Sequence, residues 1–261
     1  MTALAGKNAL VVGVLNRYSL AWAIARALHE QGARLFITYQ GERVRESVQK
    51  LAGTIDGTIT APLDVTRDEE IDQVAALARE QMGGLDILIH AVAFAPAETL
   101  SRAFIETPRD AFRATLDIST YSLVALARAV APLMEERGGS IVTLTYLGGE
   151  RVVPNYNVMG VAKAALEACV RYLAFDLGPR NIRVNAISSG PVSTAAARGI
   201  AGFLKMEHLV AQSSPLRRKT DPAEVGATAA FLCSDAARGI TGEVLHVDCG
   251  YNIMGTGTLA P

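Results

Sequence analysis

The chain has 261 residues, half of them hydrophobic and 20% charged, and its formal net charge is -1. That length and composition suit one α/β unit with a core large enough to need neither disulfides nor metal. The balanced charge argues against nucleic acid as a partner, which calls for a strongly basic face.

Residues Met1 to Lys7 lead straight into a strand-like stretch with no basic leader, and no apolar run approaches bilayer-spanning length, so a cytoplasmic protein without a membrane partner is expected. Cys169, Cys233 and Cys249 lie far apart and read as free thiols; His29, His90, His208 and His246 are equally scattered, and no metal site is expected. Strand candidates follow in order at Ala9–Val12, Leu35–Tyr39, Thr58–Ala61, Leu85–His90, Ile141–Leu144, Arg183–Ile187 and Val244–Val247. Their nearly unbroken apolar character fits strands covered on both faces. Helix-length segments separate them, which predicts a doubly wound, Rossmann-type domain spanning 1–261: a seven-stranded parallel sheet flanked by helices.

Three helix starts carry local signals. Thr66 with Glu69 reads as a capping box, while Thr107-Pro108 and Asp221-Pro222 each put a cap residue before a proline at the first helical position. The least regular stretch, Gly190 to Ser214, is broken by Pro191, Gly199 and Gly202, and a loop that long inside a domain is more often functional than not. Residues 255–261 read as a frayed tail.

The first strand ends at Gly13, and a helix follows from about Ser19. Leu15 and Tyr18 stand where a GxGxxG fingerprint would have glycines, so Gly13 alone is a weak dinucleotide signal. A helix N-terminus there still offers free N–H groups and partial positive charge to a phosphate. After the second strand, Tyr39-Gln40-Gly41 holds no acid to clasp ribose hydroxyls and no Arg directly at the strand end, although Arg43 follows. NADH is the preferred cofactor, with NADPH left open. Asp64-Val65, after the third strand, suits an adenine edge or simply a turn.

Tyr156 and Lys163 are seven residues apart on a segment that reads as the opening of one long helix after the fifth strand. Seven residues turn through about 700°, so the two share a face about 10 Å apart along the axis, with Met159 between them. An ammonium there favours negative charge on a phenol or on an oxyanion bonded to it. Tyr146, just past the fifth strand, converges on the same place. A buried Tyr with a snorkelling Lys is the bland alternative, and the position at the strand ends weighs against it.

With Pro154-Asn155 before Tyr156, the wide Tyr-x6-Lys spacing and the upstream Tyr146, the chain resembles the short-chain dehydrogenase/reductases. More narrowly, it resembles the bacterial enoyl-acyl-carrier-protein reductases, and the likeness runs from Gly13 to Gly250. The resemblance implies catalytic roles for Tyr146, Tyr156 and Lys163. It implies that Gly13, Ser19, Leu20, Gln40, Asp64, Val65, Val92 and Lys163 bind the dinucleotide, and that Val192, Ser193, Thr194, Ala195 and Ala196 close over it. Ala95, Met159, Ile200, Phe203 and Met206 would form the acyl pocket, with a mobile substrate-binding helical loop at about 191–214. It further implies reduction of a trans-2-enoyl thioester by NADH, an acyl carrier protein as partner and a homotetramer. The spacing itself has a reading: a carbonyl reductase needs Lys close to Tyr, whereas an enoyl reductase can leave Lys chiefly to the cofactor. A 3-ketoacyl reductase with Thr145 in place of a serine, and a nucleotide-sensing module without turnover, are the competing readings.

Overall fold

Seven runs of aliphatic and β-branched residues line up as strands: β1 (Asn8–Val12), β2 (Arg34–Tyr39), β3 (Ile59–Pro62), β4 (Ile87–His90), β5 (Gly139–Thr145), β6 (Ile182–Ser189) and β7 (Val244–Val247). The computed structural model describes residues 2–194, 197 and 202–255. The strands pair in the order β3-β2-β1-β4-β5-β6-β7, and every pair is parallel. All seven expected strands are present. β5 and β6 extend beyond the expected ends because pairing carries them on, from Gly139 opposite Ile182 to Thr145 opposite Ser188.

Helices follow as α1 (Leu20–Glu30), α2 (Glu42–Ala52), α3 (Asp68–Met82), α4 (Arg109–Leu116), α5 (Ser122–Val130), α6 (Val158–Leu177), α7 (Phe203–Ser213) and α8 (Pro222–Cys233). Alternate residues of each strand point to opposite faces of the sheet. Val11, Ile37 and Ile89 pack under α1, α2 and α8 through Ile24, Leu28, Val48, Val225 and Leu232. Leu10, Phe36 and Leu88 pack under α3, α5 and α6 through Ile71, Val74, Leu126, Leu166 and Val170. Each such side chain, fully buried, contributes about 1.5–3 kcal/mol. The sheet is thus covered on both faces, which leaves the ends of the strands for chemistry.

Several local expectations are corrected. Thr66 does not cap α3: its N–H and hydroxyl both donate to Asp64 Oδ1, at 3.0 and 2.7 Å, closing a turn before the helix. Arg67 occupies the cap position, and Glu70, not Glu69, reaches back, accepting from Asp64 N at 2.7 Å. Thr107 likewise spends its hydroxyl on Phe104 O (2.6 Å), so Pro108 stands at the cap of α4. Asp221 behaves as expected, accepting from Ala223 N while Glu224 accepts from Asp221 N. The irregular stretch Gly190 to Ser214 contains the 11-residue helix α7, which starts after Gly202 in a left-handed conformation. Finally, the helical run Arg109–Leu133 is long and apolar enough to cross a bilayer by length and composition, contrary to the sequence reading. Half of its most apolar window is buried, because α5 is a core helix against the sheet.

Candidate active site

β1 leads outward to β2 and β3 on one side, and β4 to β7 continue on the other, so the strand order reverses between β1 and β4. Ligands of open α/β sheets bind beyond the strand ends at such a point. A cavity of about 360 Å³ opens there. Gly13, Ser19 and Leu20 line it from the β1 side, Val92 and Ala95 from the end of β4, and Tyr146 from the end of β5. Tyr156, Met159 and Lys163 close its floor, and Val192, Thr194, Phe203 and Met206 its far wall.

Gly13 is demanded by close approach. Its φ is +106°, and a Cβ would fall 2.1 Å from the Ala91 carbonyl oxygen. Ser19 does not cap α1 with its side chain; its hydroxyl donates to Asn16 O (2.5 Å), tightening the turn that delivers the N-terminus of α1 to the cavity. The first-turn N–H groups and the helix dipole suit a diphosphate there. Gln40, Asp64 and Val65 lie outside the cavity, at the ends of β2 and β3: Gln40 bonds to Asp64, whose carboxyl is held low chiefly by Thr66 against the effect of burial, and Val65 packs on the core. Ser193 is absent from the lining, while Ala195, Ala196 and Ile200 lie outside the described residues.

Tyr156 and Lys163 do not share a helix. α6 begins at Val158, and Tyr156 lies in the turn before it, between Asn155 and Asn157, whose φ values are +65° and +44°. Asparagine tolerates positive φ better than most residues. Asn157 is further held because its side-chain N–H donates to Thr99 O (2.9 Å) and Arg102 O (2.8 Å). Met159 N donates to Tyr156 O, so the tyrosine feeds directly into the first turn. Its ring meets that of Tyr146 edge-on, with centroids 5.0 Å apart, and packs with Leu100 and Met159. Gly148 lies against it: a Cβ there would come within 2.3 Å of Tyr156 Cδ1. The Lys163 Nζ donates to Leu144 O at the end of β5 (2.8 Å).

Burial dominates the electrostatics. The Tyr156 phenol is pushed well above its ordinary value, with Tyr146 and Glu167 adding to the effect. Burial thus favours the neutral phenol, and Lys163 is not among the groups that shift it. Tyr146 is pushed up to about 12 by burial, then by Tyr251 and Asp248. Lys163 is lowered to about 8 by burial, with Glu167 opposing the shift. His90, beneath them, is lowered to about 3 by burial and then by Lys163; its two ring nitrogens lie 2.7 and 2.8 Å from Thr143 Oγ1 and Ser122 Oγ.

The sequence reading missed Asn157, Ser119 and Leu100. Ser119 sits in a π-helical turn (Asp117–Tyr121) between α4 and α5, donating to Phe94 O and accepting from Phe94 N, both at 2.9 Å. It thereby fixes the loop after β4 beside Ala95. No residue pattern marks such a turn, although π-turns gather at functional sites.

A doubly wound parallel sheet with a phenol and an ammonium at the switch-point cavity defines a dinucleotide-dependent reductase. The comparisons narrow that class. A family model described as enoyl-(acyl carrier protein) reductase matches residues 13–252. The chain is 56% identical to the NADH-dependent enoyl-acyl-carrier-protein reductase FabI of Bacillus subtilis, over 96% of this chain and 97% of the relative. It superposes on the Bacillus cereus enoyl-acyl carrier protein reductase, solved with NADP+ and an indole naphthyridinone, with a TM-score of 0.96 at 50% identity, covering 98% and 100% of the two chains. The Aquifex aeolicus enzyme gives 0.95 at 47% identity, covering 97% and 99%. This chain belongs to the enoyl-acyl-carrier-protein reductase family.

Proposed function

We propose that this chain reduces the 2,3 double bond of trans-2-enoyl thioesters carried on acyl carrier protein, using NADH, the last step of each round of fatty-acid elongation. The observation that carries the reading is the buried Tyr156, whose ionisation burial disfavours, edge-on to Tyr146 in a largely apolar cavity at the strand ends. The reduced nicotinamide supplies a hydride to C3 of the substrate. Tyr156 donates a hydrogen bond to the thioester oxygen, where negative charge gathers as an enolate, and a protonation at C2 completes the reduction. One well-placed donor of this kind is worth about 10²–10³ in rate. Lys163 holds the nicotinamide ribose, the N-terminus of α1 receives the diphosphate, and Gly13, Ser19, Leu20 and Val92 pack against the dinucleotide. Gln40, Asp64 and Val65, one strand farther out, serve its adenosine end. Val192 to Ala196 close over it, with Thr194 supplying a hydroxyl. Ala95, Met159, Ile200, Phe203 and Met206 receive the acyl chain, which Tyr146 orients.

The carbonyl-reductase alternative needs Thr145 as a free hydroxyl donor beside the substrate. That hydroxyl donates to Glu167 at 2.6 Å instead. Oxidation of NADH with a crotonyl thioester, and little with an acetoacetyl thioester, is the expected result; the reverse preference refutes the reading, and tight NADH binding without turnover on any enoyl thioester favours a sensing module. NADPH is the comparison arm, because Arg43 follows Gln40 on the first turn of α2.

The partner is an acyl carrier protein and the assembly a homotetramer. Two separate faces support assembly. Tyr172 and Phe175 stand out from α6 at 75% and 82% exposure, and the edge strand β7 is only half-buried. Two distinct isologous faces are what a D2 tetramer requires. Light scattering at working concentration tests it, a monomer mass refuting the assignment. A cytoplasmic setting suits the three free thiols, Cys169, Cys233 and Cys249.

A further inference from the structure

Behind the cavity's Thr145 and Lys163 lies a carboxyl group that the reaction above does not use. Glu167 lies one turn beyond Lys163 on α6, on a face otherwise made of Val158, Met159, Ala162, Leu166 and Val170. It is only 7% exposed. A carboxylate on an apolar face is costly unless something is gained by holding it. Its partners show what is held. Thr145 Oγ1 donates to Glu167 Oε1 at 2.6 Å, and Lys163 Nζ donates to Leu144 O at 2.8 Å. Residues 144 and 145 are the last two of β5, so this acid and base, four apart on the helix, dock on consecutive residues of one strand end. Gly149 leaves room for the carboxylate: a Cβ there would stand 2.9 Å from Glu167 Oε1. Among the described residues Lys163 has no carboxylate within ion-pair distance, and Glu167, one turn on, acts on it through space, opposing the effect of burial.

We propose that Glu167 is a positioning residue for the reduction, keeping the buried Lys163 ammonium charged and docked at the end of β5 so that it can hold the cofactor ribose. The inference rests on the reading of Lys163 as a cofactor-binding residue. Burial holds the Glu167 carboxyl above its ordinary value; the Thr145 hydrogen bond opposes this first, then Arg171 on its own helix and His246 on β7, while Glu150 from the turn after β5 adds to it. His246 lies 2.8 Å from Glu150, and Tyr156 also feels Glu167. Lys163 feels Glu167, and His90 below it stays neutral. Burial lowers Lys163 to about 8, so loss of the one opposing carboxylate leaves the lysine neutral nearer to physiological pH.

The test is the pH dependence of NADH affinity, read by fluorescence titration, for the wild type, Glu167→Gln, Thr145→Val and Lys163→Met. In the wild type, affinity falls as pH rises through the lysine's range. Glu167→Gln moves the midpoint of that fall down by about one pH unit, with affinity within about twofold of wild type well below it. Thr145→Val, which frees the carboxylate from its hydroxyl, moves it the same way by less, and serves if the glutamine variant folds poorly. Lys163→Met abolishes the fall. If Glu167→Gln and Thr145→Val lose thermal stability while the pH profile stays with the wild type, Glu167 is merely structural and the proposal is refuted, with the role of Lys163 intact. If Lys163→Met binds NADH like the wild type at every pH, both readings fall.

Discussion

Replacing Gly148 with alanine tests whether the position of Tyr156 governs turnover. Gly148 has no left-handed backbone, so alanine is acceptable to the main chain itself. The added Cβ would stand 2.3 Å from Tyr156 Cδ1 and 2.8 Å from Cε1. Ordinary carbon contacts begin near about 3.5 Å, so the ring must retreat by roughly 1 Å. It has little room, because it is 8% exposed and backed by Tyr146, Leu100 and Met159. Misplacing a reacting group by that distance costs on the order of 10²-fold. Overpacking should also cost about 1–3 kcal/mol of stability, a fall in Tm of several degrees for a chain of this size. Steady-state NADH oxidation with an enoyl thioester, alongside NADH titration and a melting curve, separates these effects. The expected result is a kcat about 100-fold lower with NADH affinity within about twofold, since the three atoms nearest the new methyl belong to Tyr156 and Tyr146. A folded Gly148→Ala enzyme with kcat within a few-fold of wild type would refute the claim that the ring is held where the chemistry needs it.

Tyr156→Phe keeps the ring and removes the donor, so kcat should fall by about 10²–10³ with NADH affinity unchanged; an equal loss of NADH binding would show that the phenol serves the cofactor instead. Wild-type NADH affinity should be full well below a pH of about 8, where Lys163 is charged, and should weaken by up to about tenfold per unit above it. A flat titration across that range would separate Lys163 from the cofactor. Gly13→Ala meets both a φ of +106° and the Ala91 carbonyl, so it should lower stability by at least about 2 kcal/mol, read as a lower Tm. Asp221→Ala removes a cap remote from the cavity and should cost about 1 kcal/mol with kcat unchanged.

The sheet was legible because its signal is coarse. Strands buried on both faces read as apolar runs, and Val11, Ile37 and Ile89 against Leu10, Phe36 and Leu88 show the period-2 division that the two helical layers require. Cap residues were less legible. Thr66 and Thr107 have hydroxyls that can serve a cap or the preceding turn with similar geometry, and tertiary placement chose the turn in both. Helix α7 was hidden for another reason: the glycines and proline before it mark a break in the chain, but not where regular structure resumes. The proposed adenosine end was legible only through resemblance, since Gln40, Asp64 and Val65 make contacts of their own that any turn could make.

The Tyr–Lys spacing carries a different lesson. Seven residues on a helix would fix the distance between phenol and ammonium by geometry alone, but Tyr156 stands before α6 and the two are placed independently. The tyrosine is set by Asn155, Asn157 and Gly148, the lysine by Leu144 and the helix. Uncoupling them lets each side chain meet its own demand. The phenol is buried against another phenol, which disfavours its ionisation; burial disfavours the ammonium as well, and the carboxyl one turn on opposes that effect. In a closer arrangement on one helix, the lysine would favour ionisation of the tyrosine, which suits proton delivery to a carbonyl oxygen. Under the proposed mechanism, separation preserves the donor that an enolate oxygen requires.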